Sequence, residues 1–171
     1  VAQQPDQKLS AVSMLSVREQ KQLLIEWNGG APSSPDRCIH HLVEEQVDRA
    51  PEDIAVIFED RQLSYHDLDR QANQVAHRLI ALGVHPEVRV GLYMERGPEA
   101  IVGLLGILKA GGVYLPLDPG LPPKRLEWFL SDADPAIILT QKTLHSSLPE
   151  SQAAVLCLDD PEVELHNEPD S

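Results

Sequence analysis

The chain has 171 residues, of which 42% are hydrophobic, and it carries 27 acidic against 14 basic side chains, for a formal net charge of −13. This length suits one hydrophobic core of ordinary size and argues against a second full domain, while the apolar content excludes wholesale disorder. An acidic surface repels phosphate backbones and anionic lipid headgroups, which disfavours nucleic acid and membrane surfaces as partners.

The N-terminal segment predicts a linker followed by a junction helix. Residues 1–14 are polar and aperiodic, as expected of an interdomain linker. Ser16 and Glu19 then have the spacing of a capping box, which marks the start of a helix. An Asn-Gly-Gly sequence at 28–30 predicts the end of this helix, and a proline-rich loop completes the junction at residue 37.

The next part of the chain predicts a short helix, a hairpin and one long helix. The short helix covers His40–Arg49, and the hairpin pairs Ile54–Phe58 with Gln62–Tyr65. Ser64 and Asp67 repeat the capping-box spacing at the start of the long helix. Apolar residues recur along that helix at intervals of four and three, and Gly83 follows them: Leu68, Ala72, Val75, Leu79 and Leu82.

From residue 88 onward, predicted strands alternate with helices. The predicted strands are Val88–Met94, Val113–Leu117, Ala136–Leu139 and Ala153–Leu158. The predicted helices are Glu99–Lys109, which Pro98 opens, and Lys124–Asp132. An irregular helix or loop over Gln141–Pro149 separates the last two strands, and an exposed acidic connection begins at Asp159. Strands separated by single helices imply right-handed crossovers. The predicted class is therefore α/β, with a largely parallel sheet covered by helices on both faces.

Glycine-rich phosphate loops are absent from the sequence. No GxxxxGK motif followed by Ser or Thr occurs, although backbone contacts to a phosphate usually need such a loop. Gly103 and Gly106 fall within an apolar helix and predict tight helix packing, and Gly111–Gly112 predicts a helix end. A serine elbow is missing as well, and the paired carboxylates look like solvated loop charges.

Metal and redox chemistry also lack a clear motif. His40 and His41 are adjacent, and adjacent side chains on a helix point about 100° apart, so with no third ligand apparent we predict no metal ligands. Cys38 and Cys157 form no CxxC pair, which favours reduced thiols over a zinc site or a disulfide. No apolar run has the roughly 18 residues of a membrane span. The start lacks both Met and a signal peptide pattern, so we expect a cytoplasmic chain cut from a longer protein.

One segment is more specific than any of these patterns. It reads Leu108-Lys109-Ala110-Gly111-Gly112-Val113-Tyr114-Leu115-Pro116-Leu117-Asp118 and joins a buried helix, a glycine turn and a strand. Pro116 predicts that this strand ends or bends there, because proline cannot donate to a sheet ladder. The segment resembles the second core motif of adenylation domains in nonribosomal peptide synthetases, LKAGxAYLPLD, and departs from it only at Val113.

The resemblance extends on both sides of this second motif. Leu63-Ser64-Tyr65-His66-Asp67-Leu68 resembles the first core motif of the family, with Asp67 in place of the usual Glu. Glu19–Asn28 resembles the condensation–adenylation junction, Cys38–Gln46 the opening helix, and Pro119–Thr140 the stretch after the second motif. The resemblance covers residues 15–160 in unbroken order.

The resemblance implies the first part of the large N-terminal subdomain of an adenylate-forming enzyme. The intact domain would use ATP and Mg²⁺ to make an aminoacyl adenylate and pass the acyl group to the phosphopantetheine of a carrier domain. Its catalytic and nucleotide-binding motifs would lie downstream, so residues 38–171 would stop before the phosphate loop. We therefore assign no catalytic, cofactor-binding or metal residue, regard both motifs as architectural, and expect the fragment alone to be inactive.

The implied partners are the rest of the synthetase, including an upstream condensation domain and a downstream carrier domain. The surface around Pro119–Arg125, with Pro122 and Arg125, resembles the region that binds an MbtH-like protein in some domains, although an ordinary surface helix is the alternative. Two other functions stay open: a fragment of an acyl-CoA ligase-like adenylate-forming enzyme, and a non-catalytic α/β interaction module. Leu115–Asp118 and the Trp27–Asn28 junction favour the synthetase. The amino acid substrate is not encoded in this part.

Overall fold

The computed structural model of the chain describes residues 15–28 and 37–160. The chain divides between Arg37 and Cys38 into an N-terminal unit and a main unit. The predicted linker over 1–14, the glycine pair and proline-rich loop over 29–36, and most of the acidic connection, from 161 on, lie outside the described residues.

The N-terminal unit begins a helix where the capping box predicts one. Helix α1 covers Val17–Lys21 and continues as a π-helical turn over Gln22–Glu26. The Glu19 N–H donates to Ser16 Oγ at 3.2 Å, and the Ser16 N–H donates to the Glu19 carboxylate at 2.7 Å. Hydrogen bonding of the Glu19 carboxyl group to the Ser16 backbone, and then to the Ser16 side chain, lowers the pKa of Glu19. The predicted capping box is confirmed.

The main unit contains eleven helices and strands within residues 38–160. They are α2 (Ile39–Arg49), β1 (Ile54–Phe58), β2 (Arg61–Ser64), α3 (Tyr65–Ala81), β3 (Arg89–Tyr93), α4 (Pro98–Lys109), β4 (Val113–Leu117), α5 (Pro123–Ala133), β5 (Ile137–Thr140), α6 (Lys142–His145) and β6 (Ala154–Cys157). Strands β1 and β2 form the predicted antiparallel hairpin. The other four strands form one parallel sheet in the order β4-β3-β5-β6.

Helices cover both faces of this sheet, as the alternating pattern predicts. Val90 and Leu92 of β3 join a core cluster that includes buried residues of α3 and α4. Tyr93 of β3 and Ile138 of β5 join a second cluster, with Leu126 of α5. Successive residues of a strand point to opposite faces, so β3 and β5 serve both clusters. The predicted α/β class is confirmed.

Two glycines of α4 allow close packing against α3 and β3. A Cβ atom on Gly106 would lie 2.5 Å from Val75 Cγ1 of α3, and one on Gly103 would lie 2.8 Å from Leu92 Cδ1 of β3. Either position would force a neighbour to move. The predicted tight packing is therefore confirmed.

Strand β4 continues one residue past Pro116, to Leu117. Pro116 pairs in register with Leu92 of β3, and β4 lies at the end of the strand order among the described residues. On an end strand, one side of the backbone makes no hydrogen bonds to a neighbouring strand. Proline, which lacks an N–H, is therefore tolerated on such a strand. In the described residues, no helix is both long and apolar enough to span a membrane.

Candidate functional site

The first motif, Leu63–Leu68, forms the junction between β2 and α3. Ser64 Oγ accepts a hydrogen bond from the Asp67 N–H at 3.1 Å and donates one to Asp67 Oδ2 at 3.0 Å. Leu68 is buried in the first core cluster, and Leu63 and Tyr65 are half-buried. Asp67 therefore takes part in the cap although the family usually has Glu here, and the motif fixes where α3 begins.

The second motif, Leu108–Asp118, turns the chain from α4 into β4. Ala110 is buried, and Gly111 has a φ of 77°, the left-handed region that favours glycine. The Gly112 N–H donates to the Ile107 carbonyl at 2.9 Å and so closes the helix end. In this motif Tyr114, Pro116 and Asp118 are exposed, while Leu108 and Leu115 are half-buried. Asp118 Oδ1 accepts a hydrogen bond from the Gly120 N–H at 2.8 Å.

Lys109 is the charged residue of the second motif, and three helices converge on it. Its Nζ donates to Glu44 Oε1 of α2 at 2.6 Å and forms an ion pair with Asp69 Oδ1 of α3 at 2.8 Å. The Asn73 amide donates to the second Asp69 oxygen at 3.1 Å. Only 8% of the Lys109 side chain is exposed. The Lys109 network (Glu44, Asp69, Asn73 and Lys109) therefore ties α4 to α2 and α3.

Electrostatics keep Lys109 positively charged despite its burial. Burial lowers the pKa of Lys109, but the contacts with Asp69 and Glu44 outweigh it, and the net pKa is raised above 10.5. The network thus joins one cation to two carboxylates. An ammonium group buried in this way stabilises a structure only where its partners stay in place.

A cavity of about 220 Å³ adjoins this network. Six of its eight lining residues are polar or ionisable; the lining consists of His40, His41, Glu44, Asn73, Ala76, His77, Ile80 and Lys109. Burial, then the neighbouring His41, lower the pKa of His40, and Lys109 acts in the same direction while Glu44 opposes them. A lowered pKa favours the neutral imidazole, which has an acceptor nitrogen.

The first turn of α2 brings together three side chains that the sequence argument treated separately. One ligand atom from each of Cys38, His40 and His41 lies within 4.8 Å of the other two. The two imidazole rings are 4.2 Å apart between centroids and inclined at 64°. The sequence argument considered only ideal helix directions and omitted Cys38. A Cys-x-His-His pattern at a helix start is the signal that could have found this group.

The surface proposed for a partner lies at the start of α5. Pro122 precedes α5, and both Pro122 and Arg125 are exposed. The Arg125 guanidinium lies 5.7 Å from the Phe129 ring centroid, and Trp128, which is 60% exposed, contacts Phe129 edge to face. This face therefore presents a cation and aromatic groups to solvent.

One ion pair thus links the second motif to the residue that follows the first. Lys109 belongs to the second motif, and its partner Asp69 directly follows the last residue of the first. Sequence reasoning missed both Asp69 and Glu44. The one available signal was a lysine at the end of an otherwise apolar helix, since such a charge needs a partner when it is buried.

The parallel sheet, with helices on both faces, is of the α/β class, and each of the two motifs lies at a helix boundary. The chain belongs to the AMP-binding enzyme family, whose sequence model matches residues 43–171. It matches the N-terminal part of the adenylation domains of nonribosomal peptide synthetases, so the resemblance seen in the sequence is confirmed.

Relatives among synthetases show how much of a longer protein this chain matches. It is 46% identical over 166 residues to one of the subunits of linear gramicidin synthase from Brevibacillus parabrevis, covering 96% of this chain but 2% of that protein. The solved nonribosomal peptide synthetase FmoA3, in its AMPPNP-bound form, is 33% identical with a TM-score of 0.77, over 85% of this chain and 16% of that one. A four-domain nonribosomal peptide synthetase bound to AMP and glycine is 31% identical with a TM-score of 0.67, over 73% and 9%.

Proposed function

We propose that this chain forms the N-terminal portion of an adenylation domain that activates an amino acid with ATP as aminoacyl-AMP and loads it on a carrier domain. The observation that carries the proposal is the 46% identity over 166 residues to linear gramicidin synthase. Both motifs fall within this stretch. Because the chain covers only 2% of that relative, the activity belongs to the proposal and not to the match itself.

The ligands of the solved relatives support the reaction type. One was crystallised with AMPPNP, an ATP analogue, and another with AMP and glycine. ATP and an amino acid are therefore the proposed substrates of the intact domain. Mg²⁺ as the metal and phosphopantetheine as the acyl acceptor follow from the family resemblance.

The proposed partners are the other domains of a synthetase. One relative is a four-domain enzyme, which supports other synthetase domains as neighbours. An upstream condensation domain and a downstream carrier domain follow from the family resemblance. The exposed α5 face with Pro122, Arg125 and Trp128 is a further candidate surface, for binding an MbtH-like protein.

We expect the protein to reside in the cytoplasm. An acyl-CoA ligase-like enzyme is less well supported, because these relatives are peptide synthetases.

A chimera tests the proposed function. In the matching module of linear gramicidin synthase, the segment that aligns with residues 38–160 is replaced by this chain's sequence. We expect the chimera to retain ATP–pyrophosphate exchange with the amino acid of the host module, because the family resemblance places the amino acid pocket outside this segment. The isolated 171-residue chain should show no exchange with any amino acid.

Controls separate loss of function from loss of folding. The unmodified host module sets the reference rate, and circular dichroism with urea unfolding shows whether the chimera is folded. A folded chimera without exchange would contradict the adenylation proposal and favour a non-catalytic interaction module. Exchange by the isolated chain would show that it is catalytically complete, against our expectation.

A further inference from the structure

We propose that Cys38, His40 and His41 form a zinc site at the start of α2. One ligand atom from each side chain lies within 4.8 Å of the others. The proposal goes beyond adenylation, for which the family resemblance implies Mg²⁺ and motifs further along the domain. It concerns a soft, thiolate-containing site in the main unit.

The geometry of a helix start explains why these residues converge. Cys38 is the N-cap of α2, with an extended backbone, and its side chain makes no capping hydrogen bond. An N-cap side chain folds back over the second and third helical residues, which here are His40 and His41. The 4.2 Å separation of the imidazole rings shows that these long side chains meet even though their Cα–Cβ bonds diverge.

The ligand set suits zinc better than magnesium or calcium. A thiolate and two imidazoles are soft or borderline ligands, whereas Mg²⁺ and Ca²⁺ prefer oxygen. In a tetrahedral zinc site, bond lengths of about 2.0–2.3 Å place ligand atoms roughly 3.4–3.6 Å apart. The group must therefore contract by about 1 Å at its widest. Cys38 and His41 are exposed, so rotation about their side-chain bonds can provide this movement.

The surroundings can tolerate a divalent cation. Lys109 lines the same cavity as His40 and His41 and would repel a metal, but Glu44 and Asp69 neutralise it at 2.6 and 2.8 Å. His40 and His41 line the 220 Å³ cavity, which gives room on their side for a water molecule as fourth ligand. With three protein ligands and one exchangeable position, the site resembles open zinc sites more than closed structural ones.

Cobalt substitution of the full 171-residue chain tests the site. The reduced protein is titrated with Co²⁺, and we expect a sulfur-to-cobalt charge-transfer band together with intense tetrahedral d–d bands that saturate at one metal per chain. Zn²⁺ should displace the cobalt and abolish both signals. Competition with a chromophoric chelator then gives the zinc affinity.

Matched variants identify the ligands. Cys38→Ser should lose the charge-transfer band, and Cys157→Ser, which removes the other cysteine, should keep it. His40→Ala and His41→Ala should each weaken zinc binding at least about tenfold, since even outer-shell changes cost about that much. His85→Ala and His145→Ala serve as histidine controls and should leave the affinity unchanged.

Three results would overturn the proposal. The first is a titration without a thiolate band. The second is zinc affinity unchanged by Cys38→Ser or by the double variant His40→Ala/His41→Ala, which would indicate adventitious binding elsewhere. The third is saturation at one metal per two chains, which would indicate a bridge between chains. Circular dichroism of each variant ensures that a lost signal reflects a lost ligand and not an unfolded protein.

Discussion

At the scale of single residues, Lys109 is a buried cation held by two carboxylates. Its ammonium group is almost fully buried and meets carboxylates from two other helices, α2 and α3. Removing a charge from water costs several kcal/mol, and only close partners offset that cost. Lys109 therefore stabilises the packing of α4 only while Glu44 and Asp69 stay in place.

Replacing Lys109 by Met should lower the free energy of unfolding by about 1–3 kcal/mol. Breaking a fully buried pair costs about 3–5 kcal/mol, but the Glu44 side chain is 41% exposed, so water compensates part of the loss. Urea unfolding followed by circular dichroism measures the change. Lys142→Met is the matched control: Lys142 pairs with Asp160 at 2.9 Å but is 49% exposed, and we expect less than about 1 kcal/mol.

The pH dependence gives an independent check of this ion pair. The pKa of Lys109 is raised in the folded state. Its contribution to the free energy of unfolding is therefore fully present below the unfolded-state pKa of 10.5 and is lost as the pH rises through the folded-state pKa. The difference in the free energy of unfolding between the native protein and Lys109→Met should thus stay constant from neutral pH to about pH 10 and become smaller above it. A gap that closes below about pH 9 would contradict the ion pair.

At the scale of elements, the contact between α3 and α4 depends on the absence of a side chain. A Cβ on Gly106 would meet Val75 Cγ1 at 2.5 Å, Val75 Cβ at 2.7 Å and the Ala72 carbonyl at 3.2 Å. The helices can approach this closely only because Gly106 lacks a Cβ. Glycine costs a helix about 1 kcal/mol relative to alanine, and the close packing of the first core cluster offsets this cost.

Gly106→Ala should therefore destabilise the chain by about 1–3 kcal/mol, since overpacking outweighs the gain in helix propensity. Val75→Ala should also be destabilising, because it opens a cavity. The double variant should be more stable than the sum of the two single changes predicts, by roughly 0.5 kcal/mol. The relief is partial, because alanine at position 75 removes the Cγ1 contact at 2.5 Å but keeps the Cβ contact at 2.7 Å. Urea unfolding of all four proteins measures the coupling, and strict additivity would show that the two positions do not compete for space.

At the scale of the whole molecule, the main unit exposes apolar side chains on both edge strands of its parallel sheet, β4 and β6. Val113 and Tyr114 of β4 are 41% and 36% exposed, and Val155 of β6 is 39% exposed. In the described residues these two strands have no further strand beside them. Unpaired strand edges with exposed apolar side chains favour association between chains, and the exposed side chains do not contribute the stability that burial would provide.

We therefore expect the isolated 171-residue chain to be marginally stable, with a free energy of unfolding at or below about 5 kcal/mol, the lower end of the usual range. It should also self-associate as its concentration rises. Urea unfolding and analytical ultracentrifugation measure the two quantities. A sharp cooperative melt of a monomer at high temperature would contradict this expectation.

The local structure could be predicted from short stretches of sequence. The Ser16 and Ser64 caps, the period of α3, the hairpin, and the glycine turn at Gly111 all depend on residues within a few positions of one another. Such signals reflect how the backbone at a helix end satisfies its hydrogen bonds and which face of a helix carries the apolar side chains. The π-helical turn at Gln22–Glu26 was not predicted, and no feature of its sequence explains it.

By itself, the sequence determined the α/β class, the positions of the helices and strands, and the family. These properties follow from periodicity, caps and contiguous motifs. Only the tertiary structure decided that Lys109 meets Glu44 and Asp69 and that Pro116 lies on an end strand. The physical reason is that distant ion pairs and strand order depend on which elements pack together, and local sequence leaves that choice open.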